Sequence, residues 1–409
     1  MSTRRRLTYI IGGILLTVFV VGAVSVWLLA VKGTMCIVRT GIEPRELYAE
    51  DLSVIRTQVL ETRGEAQGAL VRAFERETGF FLYEANPDGT MYEERNNDIR
   101  QLLASRILAG ESRTDASILP LHTENLNAIM REWYREEGEN GYVYAYEKSK
   151  LGANAMLLRV LVASPLFEMY KETAEKLANG ILSLQNEDGS FEPWFREPEY
   201  AYDREYLLTF YSGEAILALL EYAELAKSED VLSAAQKAQD FYIGEYVERM
   251  DEHYYPAYVP WHTLSLAKLY QKTGNLRYKS AIFVLTDELL KMQDTHEFIG
   301  RFYNPETPEY GSPHVSSDAV YAEGLAVAYL VAQSSGDVSR ASTYREALIR
   351  AYGNLESLQF NAPWYRIFDD RGVAEKLRGG FKTNACDHDI RIDSTAHAID
   401  AFDAMLSAM

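Results

Sequence analysis

Three stretches of this chain finish a helix in the same way. Ile181-Leu182-Ser183-Leu184-Gln185, Leu289-Leu290-Lys291-Met292-Gln293 and Leu355-Glu356-Ser357-Leu358-Gln359 each close a leucine-rich run with glutamine. Each is followed by a long loop and then by a helix of a second kind. Those second helices open with a polar residue, then a residue that is usually small, then apolar positions. Glu214-Ala215-Ile216-Leu217, Glu323-Gly324-Leu325-Ala326 and His397-Ala398-Ile399 carry the pattern. Asn154-Ala155-Met156 and His262-Thr263-Leu264 fit it, and Arg100-Gln101-Leu102 is a looser sixth. Successive polar positions lie 48 to 74 residues apart, about one helical hairpin plus a loop. A repeat of that length dictates an architecture in which each unit buries its apolar face on its neighbours.

The second kind of helix is apolar nearly all round and so belongs inside. The helices between, such as Val231 to Tyr246 and Leu276 to Gln293, mix charge with apolar positions and belong outside. Small residues early in the inner helices let backbones approach closely. Six inner and six outer helices close on themselves, which spares the structure any capping repeat. The expected fold is therefore all-α, a toroid of helical hairpins over residues 96–409, with short β pieces in its loops. No long polar–apolar alternation argues for a large sheet. Residues 32–95 read as juxtamembrane helices, Arg45 to Arg63 and Glu65 to Glu77, which either complete the ring or pack beneath it. The Asn86-Pro87-Asp88-Gly89 turn ends that segment.

Ahead of it, Leu7 to Val31 is a 25-residue run without a charged residue. That length spans a bilayer core of roughly 30 Å. Arg4, Arg5 and Arg6 precede it, so residues 1–6 are expected in the cytoplasm and the bulk of the chain on the far side. The run is too long for a cleaved signal peptide, and no small-x-small site follows it. A net charge of -19 argues against a nucleic-acid partner, which would need a basic face. The two cysteines, Cys36 and Cys386, make no disulfide framework and read as unpaired thiols.

The hairpin pattern resembles the (α/α)6 toroid superfamily, with its six-hairpin glycosidases, uronate epimerases and lyases, and the related cyclase and prenyltransferase toroids. Gln185-Asn186-Glu187-Asp188-Gly189-Ser190-Phe191 is similar to the repeat ending common in those rings. Arg391-Ile392-Asp393-Ser394-Thr395-Ala396-His397 resembles the C-terminal helix of glucuronyl C5-epimerases, with Arg, Asp and His at similar spacing. The resemblance covers about three-quarters of the chain and specifies the fold far better than the activity. It carries over no catalytic motif.

In such a ring the inner helices run parallel, and their N-termini meet at one mouth. Arg100, Asn154, Glu214, His262, Glu323 and His397 would then line one cleft. Helix N-termini there favour anionic or polyhydroxyl ligands. Glu214 and Glu323 are the natural acid/base pair, since glycoside hydrolysis needs two carboxylates. Epimerases and lyases need instead a base, an acid and a cation, roles open to His262, His397 and Arg100. Asp318 and Asp393 are each a further acid or a helix cap. Loop aromatics, among them Trp194, Tyr211, Tyr258, Trp261, Trp364, Tyr365 and Phe368, present flat faces to sugars or pack the loops. Arg391 joins the binding set. Asp387-His388-Asp389 reads as a solvated loop in preference to a metal site, and no cofactor is expected. The function expected is a membrane-anchored carbohydrate-active enzyme: hydrolase, lyase or epimerase. The alternative is a non-catalytic toroid that binds a glycan or a protein at the cell envelope. A lipid-active toroid ranks last, for want of an acid-rich run.

Overall fold

A computed structural model describes residues 52–409, apart from 89, 91, 93–94 and 362–370. The expected membrane span, Cys36, and the aromatic residues Trp364, Tyr365 and Phe368 lie outside the described residues. Twelve helices carry the architecture: α1 (Leu52–Ala73), α2 (Asp98–Glu111), α3 (Leu119–Glu132), α4 (Leu151–Ala163), α5 (Lys171–Leu182), α6 (Arg204–Ala226), α7 (Glu229–Ile243), α8 (Tyr258–Thr273), α9 (Leu276–Leu290), α10 (Val315–Ser334), α11 (Val338–Leu358) and α12 (Ile392–Ala408). Helices α2, α4, α6, α8, α10 and α12 pack side by side, and α12 returns to α2. Each carries one outer helix, α3, α5, α7, α9, α11 and α1 in that order.

Helix α1 is thus the outer partner of the C-terminal helix, and it settles the role of the segment before residue 96. It completes the ring. It is also one helix where two were expected, because Gly64 sits inside it without breaking it. Arg63 on α1 pairs with Asp403 on α12 at 2.9 Å and with Glu111 on α2.

The glutamine endings have a mechanical purpose. Gln185 Nε2 donates to the carbonyl of Ala234, Gln293 to that of Ala347, and Gln359 to that of Thr62. Each glutamine therefore ties the end of one outer helix to the next outer helix round the ring. Each also forms an isolated bridge with a buried phenylalanine, Phe191, Phe302 or Phe381. The loops pass so close to the next helix that only glycine fits. Gly300 has φ +94°, and a Cβ there would lie 1.9 Å from the Arg350 carbonyl oxygen. Gly300→Ala should lose at least about 1–3 kcal/mol in thermal unfolding. Gly311→Ala, at φ +107° in open space, carries the strain without the collision and should cost less.

Inner helices are buried continuously, as Leu151 to Leu161 shows on α4. Outer helices bury one face: on α7, Val231, Leu232, Ala235, Ala238, Gln239 and Tyr242. Glycine lets the inner helices close in, since a Cβ on Gly213 would meet Trp261 Cβ at 2.5 Å. Side-chain caps start α2 at Asn97, α6 at Asp203, α7 at Ser228, α9 at Asn275 and α11 at Asp337. Helix α10, the one described helix long and apolar enough to cross a membrane, is an inner wall of this ring.

Cys386 is disulfide-bonded, which overturns the reading of two unpaired thiols.

Candidate active site

Short turns join the C-termini of inner helices to the outer helices, such as the one at residues 227–228. Long loops enter the N-termini, so all six gather at one mouth of the ring. Two strand pairs set the side chains there. Glu84–Ala85 pairs with Ile390–Arg391, and the Ile392 amide donates to the Tyr83 carbonyl. Ser149–Lys150 pairs with the strand Trp194–Arg196. The loops ahead of α2 and α12 are locked together in this way, as are those ahead of α4 and α6.

The first pairing builds a cationic corner. Arg391 grips the Asp393 carboxylate through two bonds of 2.6 and 2.8 Å. Arg100 approaches the same carboxylate at 3.2 Å and donates to the Tyr83 hydroxyl. Two guanidinium groups thus face one carboxylate, and they hold Asp393 well below the usual carboxylate range despite its burial. His314, and not the expected Asp318, caps α10, and its Nδ1 accepts from the Ser316 amide at 3.1 Å. His397 stands on α12 with its ring 6.0 Å from that of Trp261. Burial keeps His397 neutral, with its pKa lowered to about 4.

The second corner is acidic. Glu214 is only 5% exposed. Its Oε2 lies so near Gly152 that a Cβ there would meet it at 2.5 Å, with the Tyr211 ring at 2.6 Å. Burial raises its pKa to about 7, against the pull of Arg159 and Lys150. Lys150 is buried in an ion pair with Asp98, in the first turn of α2. Five buried polar atoms at this mouth lack a protein partner: Asp98 Oδ2, Trp194 Nε1, Glu214 Oε2, His314 Nε2 and His397 Nδ1. A native structure leaves few such atoms, and a cluster of them marks a place for a polar ligand.

A charged layer lies one to two turns deeper along the axis. Arg106 pairs with Asp400, and Arg159 binds Glu221 through two bonds of 2.9 and 3.0 Å. Glu323 sits among these groups. Burial, and then the Asp400 carboxylate, raise its pKa. It belongs to this layer, one level below the mouth.

Several expected residues serve other ends. Asn154 is sealed and accepts the Val143 amide at 2.7 Å. Asp318 accepts the Phe302 amide and the Asn354 side chain, both at 2.8 Å. Gln101 accepts the Phe81 amide in the same manner. All three anchor a loop to the first turns of an inner helix. His262 is 1% exposed, bonded to Ser212 and Gln239, and faces the outer helix α7. Tyr258 is buried, stacks on Tyr246 at 4.0 Å and donates to its carbonyl. Neither reaches the mouth. Asp389 accepts from Asn86 and Tyr92 and so pins a loop.

The site residues not anticipated are Asp98, Lys150, His314, Arg106, Arg159 and Glu221. Arg159 was the most visible of them: a lone arginine in an apolar helix must be buried and paired.

No protein-family model and no curated protein sequence matches this chain. Solved structures do. A D-mannose isomerase superposes with a TM-score of 0.66 at 10% identity, over 86% of this chain and 98% of that one. The fold is that of the six-hairpin toroids. A cellobiose 2-epimerase from Bacillus thermoamylovorans gives 0.63 at 10% identity, over 85% and 99%. An α-1,6-mannanase from Salegentibacter gives 0.62 at 13% identity, over the same shares.

Proposed function

We propose that this protein is a membrane-tethered carbohydrate-active enzyme that moves protons on a sugar, of epimerase or isomerase type. The reading rests on one observation. At a single mouth, a carboxylic acid that still holds its proton near neutrality and an imidazole kept neutral each present a buried atom with no protein partner. Hydrolysis by paired carboxylates asks for one acid and one ionised base or nucleophile. Here burial leaves both Glu214 and Glu323 inclined to keep their protons. Asp393 is already taken up by two arginines, and Asp98, the other carboxylate at the mouth, is ion-paired with Lys150. A neutral imidazole and a protonated carboxyl at one mouth suit removal of a proton from the carbon next to a sugar carbonyl.

In that reading His397 takes the carbon-bound proton. Glu214 gives its proton to the carbonyl oxygen, and an enediol results. Arg100 and Arg391 steady the negative charge that develops. Return of the proton to carbon gives the isomer. Solved toroids that act on mannose and cellobiose support the substrate class. The uncharged run Leu7 to Val31, preceded by three arginines, supports a membrane anchor with the bulk of the chain outside the cytoplasm.

Incubating the enzyme with D-mannose, D-glucose, cellobiose and α-1,6-mannobiose in D2O tests this. Deuterium should enter the carbon next to the carbonyl of one of them, as followed by NMR. Release of new reducing ends without deuterium uptake would show a hydrolase instead.

A further inference from the structure

Among the described residues three non-glycine positions have positive φ, and two of them are adjacent: Tyr146 at 53° and Glu147 at 61°. They form the tip of a tight hairpin closed by the bridge between Ala145 and Lys148. Two left-handed residues in succession define the type I′ turn, which strongly favours Asn-Gly. A tyrosine and a glutamate there are strained, and such strain persists at sites where the side chain is needed for something else.

The hairpin lies in the loop that enters α4. Its next residues, Ser149 and Lys150, are held by pairing with Trp194 and Arg196, and Lys150 bonds the Asp98 carboxylate. The Tyr146 ring packs on Trp133 at 6.4 Å, yet the residue is 49% exposed. Its hydroxyl stands in the field of Asp98 and of Tyr83, the partner of Arg100. Asp98 Oδ2 has no protein partner. A strained turn therefore carries a half-open aromatic ring to the side of the mouth that holds Asp98 and Tyr83.

We propose that Tyr146 is a substrate-contacting residue, the platform on which a pyranose ring packs while its hydroxyls reach Asp98. This rests on the glycan reading of the mouth. The ring offers the flat apolar face on which a sugar packs. The strain in the turn is retained because Asn-Gly, which would relieve it, cannot supply the ring.

The test is the double variant Tyr146→Asn/Glu147→Gly, beside Tyr146→Phe and the wild type. Tm is measured for each, and D-mannose, cellobiose and α-1,6-mannotriose are titrated by calorimetry. The double variant should melt about 1–3 °C higher and bind saccharide at least tenfold more weakly. Tyr146→Phe, which keeps the ring, should stay within a few-fold of wild type. A double variant that melts higher and binds as well as wild type overturns the proposal and leaves the glycan reading standing. A lower Tm overturns it too, because the turn was then not strained. A wild type that binds none of these sugars removes the glycan reading and this one with it.

Discussion

Glu214→Gln lowers kcat/KM by about 10²–10⁴-fold, the usual worth of a positioned general acid, and leaves the fold intact. The glutamine is nearly isosteric, and the carboxyl it replaces already carries its proton near neutrality, so little buried charge is lost. The pH profile makes the assignment specific. Glu214 acts in its protonated form, and its pKa is raised to about 7, so activity falls as pH rises through that value. His397 acts in its neutral form, and its pKa is lowered to about 4, so activity falls as pH drops below that value. The wild-type kcat/KM is therefore bell-shaped between about 4 and about 7. In Glu214→Gln the residual activity keeps the acid limb and loses the alkaline one. A variant that loses activity but still shows the alkaline limb would assign the acid elsewhere, and Glu323 is then the next candidate.

Arg159→Met should destabilise the protein by about 3–5 kcal/mol, the cost of leaving a buried carboxylate unpaired. Arg159 is buried within α4, and both of its hydrogen bonds to Glu221 are well formed. Without it, Glu221 and Glu323 share the axis with Asp400, with Arg106 left among them and Lys268 acting on Glu221. The double variant Arg159→Met/Glu221→Leu should recover most of the loss, since an apolar pair of similar volume often matches a buried ion pair. Chemical denaturation of both single variants and the double one closes the cycle, and the coupling should exceed about 1 kcal/mol for groups in direct contact. If the double variant is no more stable than Arg159→Met, the axial charges are not coupled as the geometry requires.

Much of the ring could be read from residue pattern. Spacing separates inner from outer helices because an inner helix buries every side and an outer one buries a stripe, and composition records that difference directly. The glutamine endings were visible before their role was, since their partners lie 49 to 297 residues away. The site was read with one systematic error. Asn154 was aligned with Glu323, whereas its true counterpart as a loop anchor is Asp318; Arg159, five residues on, is the counterpart of Glu323. A slip of five residues on a helix of 3.6 residues per turn still leaves a polar residue near the helix start, so the pattern alone does not expose it. His262 failed for a related reason: one residue along, Trp261 faces the axis beside His397, and a step of about 100° turns His262 to the outer layer.

Sequence alone thus determined that this chain makes a closed ring of helical hairpins, because burial around a helix is a local property that composition reports every few residues. The tertiary structure decided which polar groups share the mouth, which outer helix closes the circle, and which acids keep their protons. Those depend on side-chain direction and on neighbours hundreds of residues away, and both exist only once the ring has closed.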